Sequence, residues 1–347
     1  MSLQPGPRSY SLEGRHLSLL QGDGRLSEPH RGGRMLTWLA AHQVANMAAA
    51  KAHAALAVNL SEVQVNVVDA IRASGAQLMW QPIPRIFGAY VNEVDSRPGI
   101  LINSALPHAA RRYTAAHELG HHVLSHTTTV DDGSTIDTVL REELYAMPGA
   151  ARRRAWPDQE KLAEAFAAWF LMPRRVVGSA LSVLGLSRPR SDLDVYRLSL
   201  LLGTSYRTTV RHLPNIKLAH GSNSASWART GPARLKAQLD AGFSPPASRS
   251  TDVWLLEPSF NGLQIQLQSG DRVAFRSVLP SGTAIPDWLR PVEPATGVGV
   301  GPGRAMFEVG PSQLSAFPAS AVLDCESWAV TLQLAEAPRG LDPRGPA

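Results

Sequence analysis

Two histidines four residues apart, His117 and His121, lie in a run whose neighbouring positions are apolar or small. At about 3.6 residues per turn, that spacing sets both imidazoles on one face of a helix, roughly one turn apart. Ala115, Ala116, Leu119, Val123 and Leu124 surround them, so the helix is expected to be buried with its histidines facing a core. A helix of that kind must be enclosed by other elements, and the composition allows it: 44% of the 347 residues are apolar and only 18% charged. The length exceeds the usual domain size of roughly 100 to 150 residues, which predicts a main domain and at least one further module.

Glu118 is rotated by about 100° from His117 on such a helix, so its carboxylate faces a bound water rather than the group both imidazoles hold. His-Glu-x-x-His is the pattern in which two imidazoles bind zinc and the glutamate acts as general base. His117 and His121 are therefore candidate metal ligands, and Glu118 is the candidate base. The plain alternative is a pair of satisfied core histidines beside a surface glutamate. Cys325 is the only cysteine, which excludes an internal disulfide and a cysteine-based zinc site, so a metal here must use histidine and carboxylate.

The rest of the chain reads as alternating helical and extended segments. Leu36, Leu39, Val44 and Met47 recur at helical spacing and predict a long helix over 35–58 that packs on that face. A second helix is expected from Ser61, with Gln64 completing a capping box and Gly75 ending it. Gln77–Gln81, Ile86–Val91 and Gly99–Ile102 read as strands of a small sheet, after which Pro107 opens the helix that carries the histidines. Residues 127–157 read as a polar surface excursion with one short helix near 140–146, and a helix over 158–172 follows, ended by Pro173. Segments 192–202 and 205–213, joined through Gly203 and Thr204, suggest a helix-turn-helix. Beyond a stretch over 219–250 rich in Ser, Asn, Ala, Gly and Pro, interrupted by one short helical candidate over 232–241, the alternation in 252–257, 263–267, 272–278, 305–309 and 328–334 predicts a β-rich module with turns at Asn261-Gly262 and Ser269-Gly270.

The run Arg112-Tyr113-Thr114-Ala115-Ala116-His117-Glu118-Leu119-Gly120-His121-His122, followed by Glu160-Lys161-Leu162-Ala163-Glu164-Ala165-Phe166-Ala167-Ala168-Trp169-Phe170-Leu171-Met172-Pro173, resembles the ImmA/IrrE family of zinc metallopeptidases. The resemblance implies that Glu160 is the third zinc ligand. Where the family has Asn, this chain has Glu164, one turn on, which can support a ligand imidazole or compete for the metal. The resemblance also implies an α+β architecture: a zincin-like, mainly helical domain with a small β-sheet at 35–186, then a helix-turn-helix-like region at 187–220. A linker is expected at 221–250, then a sandwich-like β-rich sensor or recognition domain at 251–336 that weakly resembles chagasin-type inhibitor domains. Residues 1–34 and 337–347 are expected to be disordered tails.

The implied activity is a zinc endopeptidase, with manganese able to replace zinc, that cuts a regulatory protein such as a helix-turn-helix repressor in a stress or mobile-element response. The rival class is a DNA-binding regulator with a non-catalytic zinc site, whose contacts would be Arg207 and Arg211. His122 and His126 fall off the ligand face and are expected to pack or face solvent, His108 to lie at the surface, and Tyr113 to be a buried anchor. With no signal-peptide core and no apolar run long enough to span a bilayer, the expected location is the cytoplasm, away from membranes.

Overall fold

The computed structural model describes residues 35–131, 156–275, 279–295, 305–310, 319–334 and 338–345, apart from Val94, Ala247, Arg249 and Ser281. The expected tail at 1–34 and the short helix near 140–146 lie outside the described residues. Helix α1 spans Trp38–Ala55, opened by Thr37, whose hydroxyl accepts from the Ala40 amide. Its buried face is not the one the large apolar residues marked. Ala41, Ala45, Ala48, Ala49 and Ala52 are buried, whereas Leu39 is 71% and Met47 60% exposed. The alanines win because α1 packs along the helix over 158–171, and short side chains let two helix backbones close up.

Helix α2 is Val67–Ala73, later than the expected start. The Ser61 amide and hydroxyl both turn to Asn59 Oδ1, and Asn66 caps the helix by accepting from the Asp69 amide. The local serine turn thus competes with helix initiation, and the asparagine directly before Val67 sets the start. Three strands follow: β1 Gln77–Gln81, β2 Gly88–Val91 and β3 Gly99–Asn103. Helix α3, His108–Val123, lies against β2 and β3 and leads into β4, Thr129–Asp131, which the polar sequence of that region concealed.

Helix α4, Asp158–Leu171, packs on both α1 and α3, and α5 is Arg174–Val183. Helix α6, Asp192–Leu202, has a full capping box between Ser191 and Asp194 and ends at Gly203, whose φ of 61° suits glycine. Helix α7 is Tyr206–His212, capped by Ser205. Within the stretch expected to be a linker, the short helix expected over 232–241 is α9, Pro232–Leu239, and a further helix, α8, Gly221–Trp227, precedes it. Trp227, Leu235 and Leu239 are buried in the same apolar cluster as the rest, and the Tyr206 hydroxyl donates to the Trp227 carbonyl at 2.9 Å.

The C-terminal strands form two small sheets. In one, β5 Val253–Leu256 pairs in parallel with β7 Arg272–Phe275, and β9 Ala305–Val309 joins β7 to β8 Leu289–Pro291. In the other, β11 Ala329–Leu334 lies between β10 Ala319–Asp324 and β6 Gln264–Leu267. The Ser269-Gly270 turn therefore crosses from one sheet to the other and closes no hairpin. Arg272 anchors this region to the helices, donating to Asp240 at 2.7 Å with both groups buried. Tyr196 of α6 accepts from the Val253 amide at 2.9 Å and donates to Asp252 at 3.3 Å.

The expected disordered tail also has structure. Gly340–Leu341 forms β12, antiparallel to β1, so the first sheet runs β12-β1-β3-β2-β4. Asp342 and Arg72 pair beside it. Leu36–Ala347 accordingly forms a single compact unit, without the interruption predicted at 221–250.

Candidate metal centre

The site lies where α3 crosses α4, and a glycine permits the crossing. A Cβ at Gly120 would meet Phe166 Cδ1 at 2.9 Å and the Ala163 backbone at 3.3 Å. With only hydrogen at Gly120 and a methyl at Ala163, the first turn of α4 comes close enough to put Glu160 against the histidine face of α3. On the opposite side of α3, a Cβ at Gly88 of β2 would lie 2.8 Å from Glu118 Oε1 and 2.7 Å from Thr114 Cγ2. Glu118 is thus held against the sheet by a strand position that only glycine fits. Sequence reasoning missed Gly88, because a glycine opening a strand is too common to mark a close approach.

His117, His121 and Glu160 converge deep in the protein. His117 Nε2 is 3.0 Å from His121 Nε2 and 3.2 Å from Glu160 Oε2, and His121 Nε2 is 3.6 Å from the same oxygen. A tetrahedral ion about 2.0 to 2.1 Å from each ligand atom requires those atoms to be roughly 3.3 to 3.4 Å apart. The three distances bracket that edge, and the donor set of two imidazoles and one carboxylate suits a catalytic zinc ion that keeps one position open. His117 Nδ1 turns the other way, toward Glu164 Oε2 at 3.7 Å. Of the two glutamates on α4, Glu160 therefore reaches the converging nitrogens and Glu164 sits behind one imidazole.

The electrostatics of the pocket draw positive charge. Burial works against a charged His117, yet the carboxylates of Glu160 and Glu164, with Glu118 nearby, raise its pKa well above the ordinary histidine value. Burial likewise opposes the Glu160 carboxylate, but His117 and His121 hold it far below the usual carboxylate range. His121 shifts down, chiefly through burial. Buried charges persist only where partners compensate them, so a pocket that concentrates carboxylates around imidazoles is built for a cation, whether proton or metal.

Two aromatic side chains complete the surroundings. Tyr90 of β2 stacks on His121 with ring planes 15° apart, and its hydroxyl meets His122 Nδ1 at 3.2 Å. Burial pushes the Tyr90 hydroxyl up to about 12, which keeps it protonated. Tyr113 is the buried anchor its position predicted, donating to the Glu164 carbonyl at 3.0 Å. His126 packs in the interior, one of its two expected placements, but against a ligand imidazole rather than away from it: its Nδ1 lies 2.9 Å from His121 Nδ1. His108 is not a free surface group either, since burial and then Arg112 and Arg111 push it down to about 3.

Residues 74–184 match the Peptidase_M78 family, the IrrE N-terminal-like domain. This M78 span takes in β1 to β4 and α3 to α5 and contains every residue of the metal centre; the C-terminal sheets lie beyond it. With the buried His/His/Glu group, the M78 match indicates a metallopeptidase of the IrrE/ImmA type. No curated protein matches the chain.

The other candidate site is a poor fit to its expected role. Tyr206, Thr208, Thr209, Val210 and His212 of α7 are all buried, and Arg207 and Arg211 are half-buried. His212 Nε2 donates to the Met172 carbonyl at 3.1 Å and packs edge-on against Trp169, while the Ser224 hydroxyl of α8 donates to the Val210 carbonyl. A recognition helix must offer a free face several residues long to a DNA groove, and this two-turn helix is enclosed by α4, α6 and α8. Among the described residues, no helix is long and apolar enough to cross a membrane.

Proposed function

We propose that the chain is a zinc-dependent endopeptidase, able to use manganese in zinc's place, that cleaves a regulatory protein, with a helix-turn-helix repressor as the substrate class. The observation that carries this reading is the convergence of His117 Nε2, His121 Nε2 and Glu160 Oε2 next to Glu118, a carboxylate that a structural metal site has no use for. His117, His121 and Glu160 would hold the ion, which supplies Lewis acidity to polarise a peptide carbonyl and to acidify water. Glu118, fixed against Gly88, takes a proton from the attacking water and passes it to the departing amide nitrogen. The water oxygen bonds to the carbonyl carbon as the carbon–nitrogen bond breaks, so the net change is addition of one water across the peptide. Glu164 Oε2, 3.7 Å from His117 Nδ1, favours a proton on that nitrogen and so leaves the other nitrogen toward the ligand face.

The rival reading, a DNA-binding regulator with a non-catalytic zinc site, draws no support from the enclosed α7. The substrate class rests on the family resemblance. Its test is incubation of the purified chain, loaded with zinc, with a repressor encoded beside its gene, with and without chelator. Discrete fragments that need both metal and His117 support the proposal. An intact repressor alongside a zinc site that His117→Ala abolishes would leave the metal centre standing and remove this substrate.

A further inference from the structure

Helix α3 ends in a way that returns a side chain to its own ligand face. Leu124 is its last capping residue, and Ser125 takes a left-handed conformation with φ of 56°. The Ser125 amide donates to the His122 carbonyl at 3.1 Å and the His126 amide to the His121 carbonyl at 3.0 Å. These two bonds define the reversal in which the second residue beyond a helix packs on the residue three positions before the cap. In most proteins that contact is apolar. Here it joins two histidines, with ring centroids 5.0 Å apart, planes at 69° and Nδ1 atoms separated by 2.9 Å.

Two ring nitrogens at 2.9 Å must be one donor and one acceptor. His121 Nε2 faces His117 and Glu160, so a metal there needs its lone pair, and the proton of a neutral His121 must then sit on Nδ1. We infer that His126 is a positioning residue for His121, its Nδ1 accepting that proton and fixing the tautomer and ring orientation that a metal ligand requires. The reverse arrangement, with His126 donating, would put the His121 proton on Nε2 and block the metal. Each ligand imidazole thereby gains its own support: Glu164 stands behind His117, and His126 behind His121. This inference rests on the metal-centre reading above.

The test compares His126→Asn, whose side-chain oxygen can occupy the position of Nδ1 and accept, with His126→Leu, which fills the space without an acceptor. Zinc affinity of the full chain is measured by competition with a chelating dye. Loss of a group that supports a metal ligand typically weakens binding roughly 10- to 100-fold, so the leucine variant is expected in that range and the asparagine variant within about threefold of native. A leucine variant as tight as native overturns the inference, as does an asparagine variant as weak as leucine, which would reduce His126 to packing. Nitrogen–proton correlation spectra of the native zinc-loaded chain give a second readout that needs no variant: His121 is expected to carry its proton on Nδ1, and a proton on Nε2 overturns the inference. A native chain that binds no equivalent of zinc would instead bring down the metal centre itself.

Discussion

The pair α3–α4 and the pair α6–α7 are both short helical units that pack face to face, yet they enclose opposite chemistry. Where α6 and α7 meet, the buried residues are mostly Leu, Val, Tyr, Ser and Thr with the single imidazole of His212, and the polar groups find local partners: Thr204 with Thr209 at 2.8 Å, Ser199 with its own helix, His212 Nε2 with the Met172 carbonyl. Where α3 and α4 meet, two imidazoles and the carboxylates of Glu118 and Glu160 are buried together, where each group alone would be costly to bury. Cores accept apolar contacts without further cause. Converging buried charge needs one, and that asymmetry separates a functional pair from a packing pair.

The sharpest way to break the comparison is to remove the base while keeping the metal. Glu118→Gln preserves shape and is expected to retain a full equivalent of zinc while cleavage falls by roughly a hundred- to ten-thousand-fold. A variant within about threefold of the native rate would exclude Glu118 from catalysis. Next comes the crossing itself. Gly120→Ala places a methyl 2.9 Å from Phe166 Cδ1, and overpacking of this kind costs about 1 to 3 kcal/mol, so thermal melting should fall and zinc affinity with it. Gly178, in the middle of α5, has nothing within 4 Å of its missing Cβ. There the same substitution should raise stability by about 0.5 to 1 kcal/mol through helix propensity alone. Equal shifts at the two glycines would show that the α3–α4 crossing is no tighter than an ordinary surface.

Acidity gives a third handle. Because the carboxylates raise His117 above the ordinary histidine value, zinc must displace a tightly held proton. Below that raised pKa, affinity should fall by about tenfold per pH unit, and the fall should begin above pH 6.5, in a titration run from pH 8 downward. A flat profile would remove the proton from competition with the metal. The smallest effect belongs to the other pair. Replacing Arg207 and Arg211 together by serine should alter cleavage by less than threefold; loss of the cellular phenotype in that variant, with Glu118→Gln leaving it intact, would restore the DNA-binding reading.

What could be read from the sequence was what local spacing controls. The histidine helix, the run of β1 and the span of α6 over 192–202 follow from neighbours within a few residues. Glu160 required a family resemblance, since nothing local ties it to a helix some 40 positions away. The burial of α1 through alanines was hidden because hydrophobic size was taken to mark the inner face, when close helix approach favours small residues instead. His126 was misplaced for a different reason: the helical rotation was continued past Val123, where the chain reverses at Ser125 and the rotation no longer applies. Helix α9 was legible over 232–241, but α8 was obscured by its Ser, Asn and Gly content, although the buried Trp227 anchors it.

The two-residue strand β12 bears on how the molecule avoids sticking to others. Without it, β1 would present a row of free backbone amides and carbonyls at the rim of the first sheet, the kind of surface on which a second chain can add a strand and seed aggregates. Met79 and Trp80 pair instead with Leu341 and Gly340, and the Arg72–Asp342 contact that secures the cover joins positions 270 residues apart. Contacts closed over so long a loop form late in folding, so the rim stays open to association while the rest of the chain is already gathering. Dilution during refolding should therefore matter more for this protein than its finished surface would suggest.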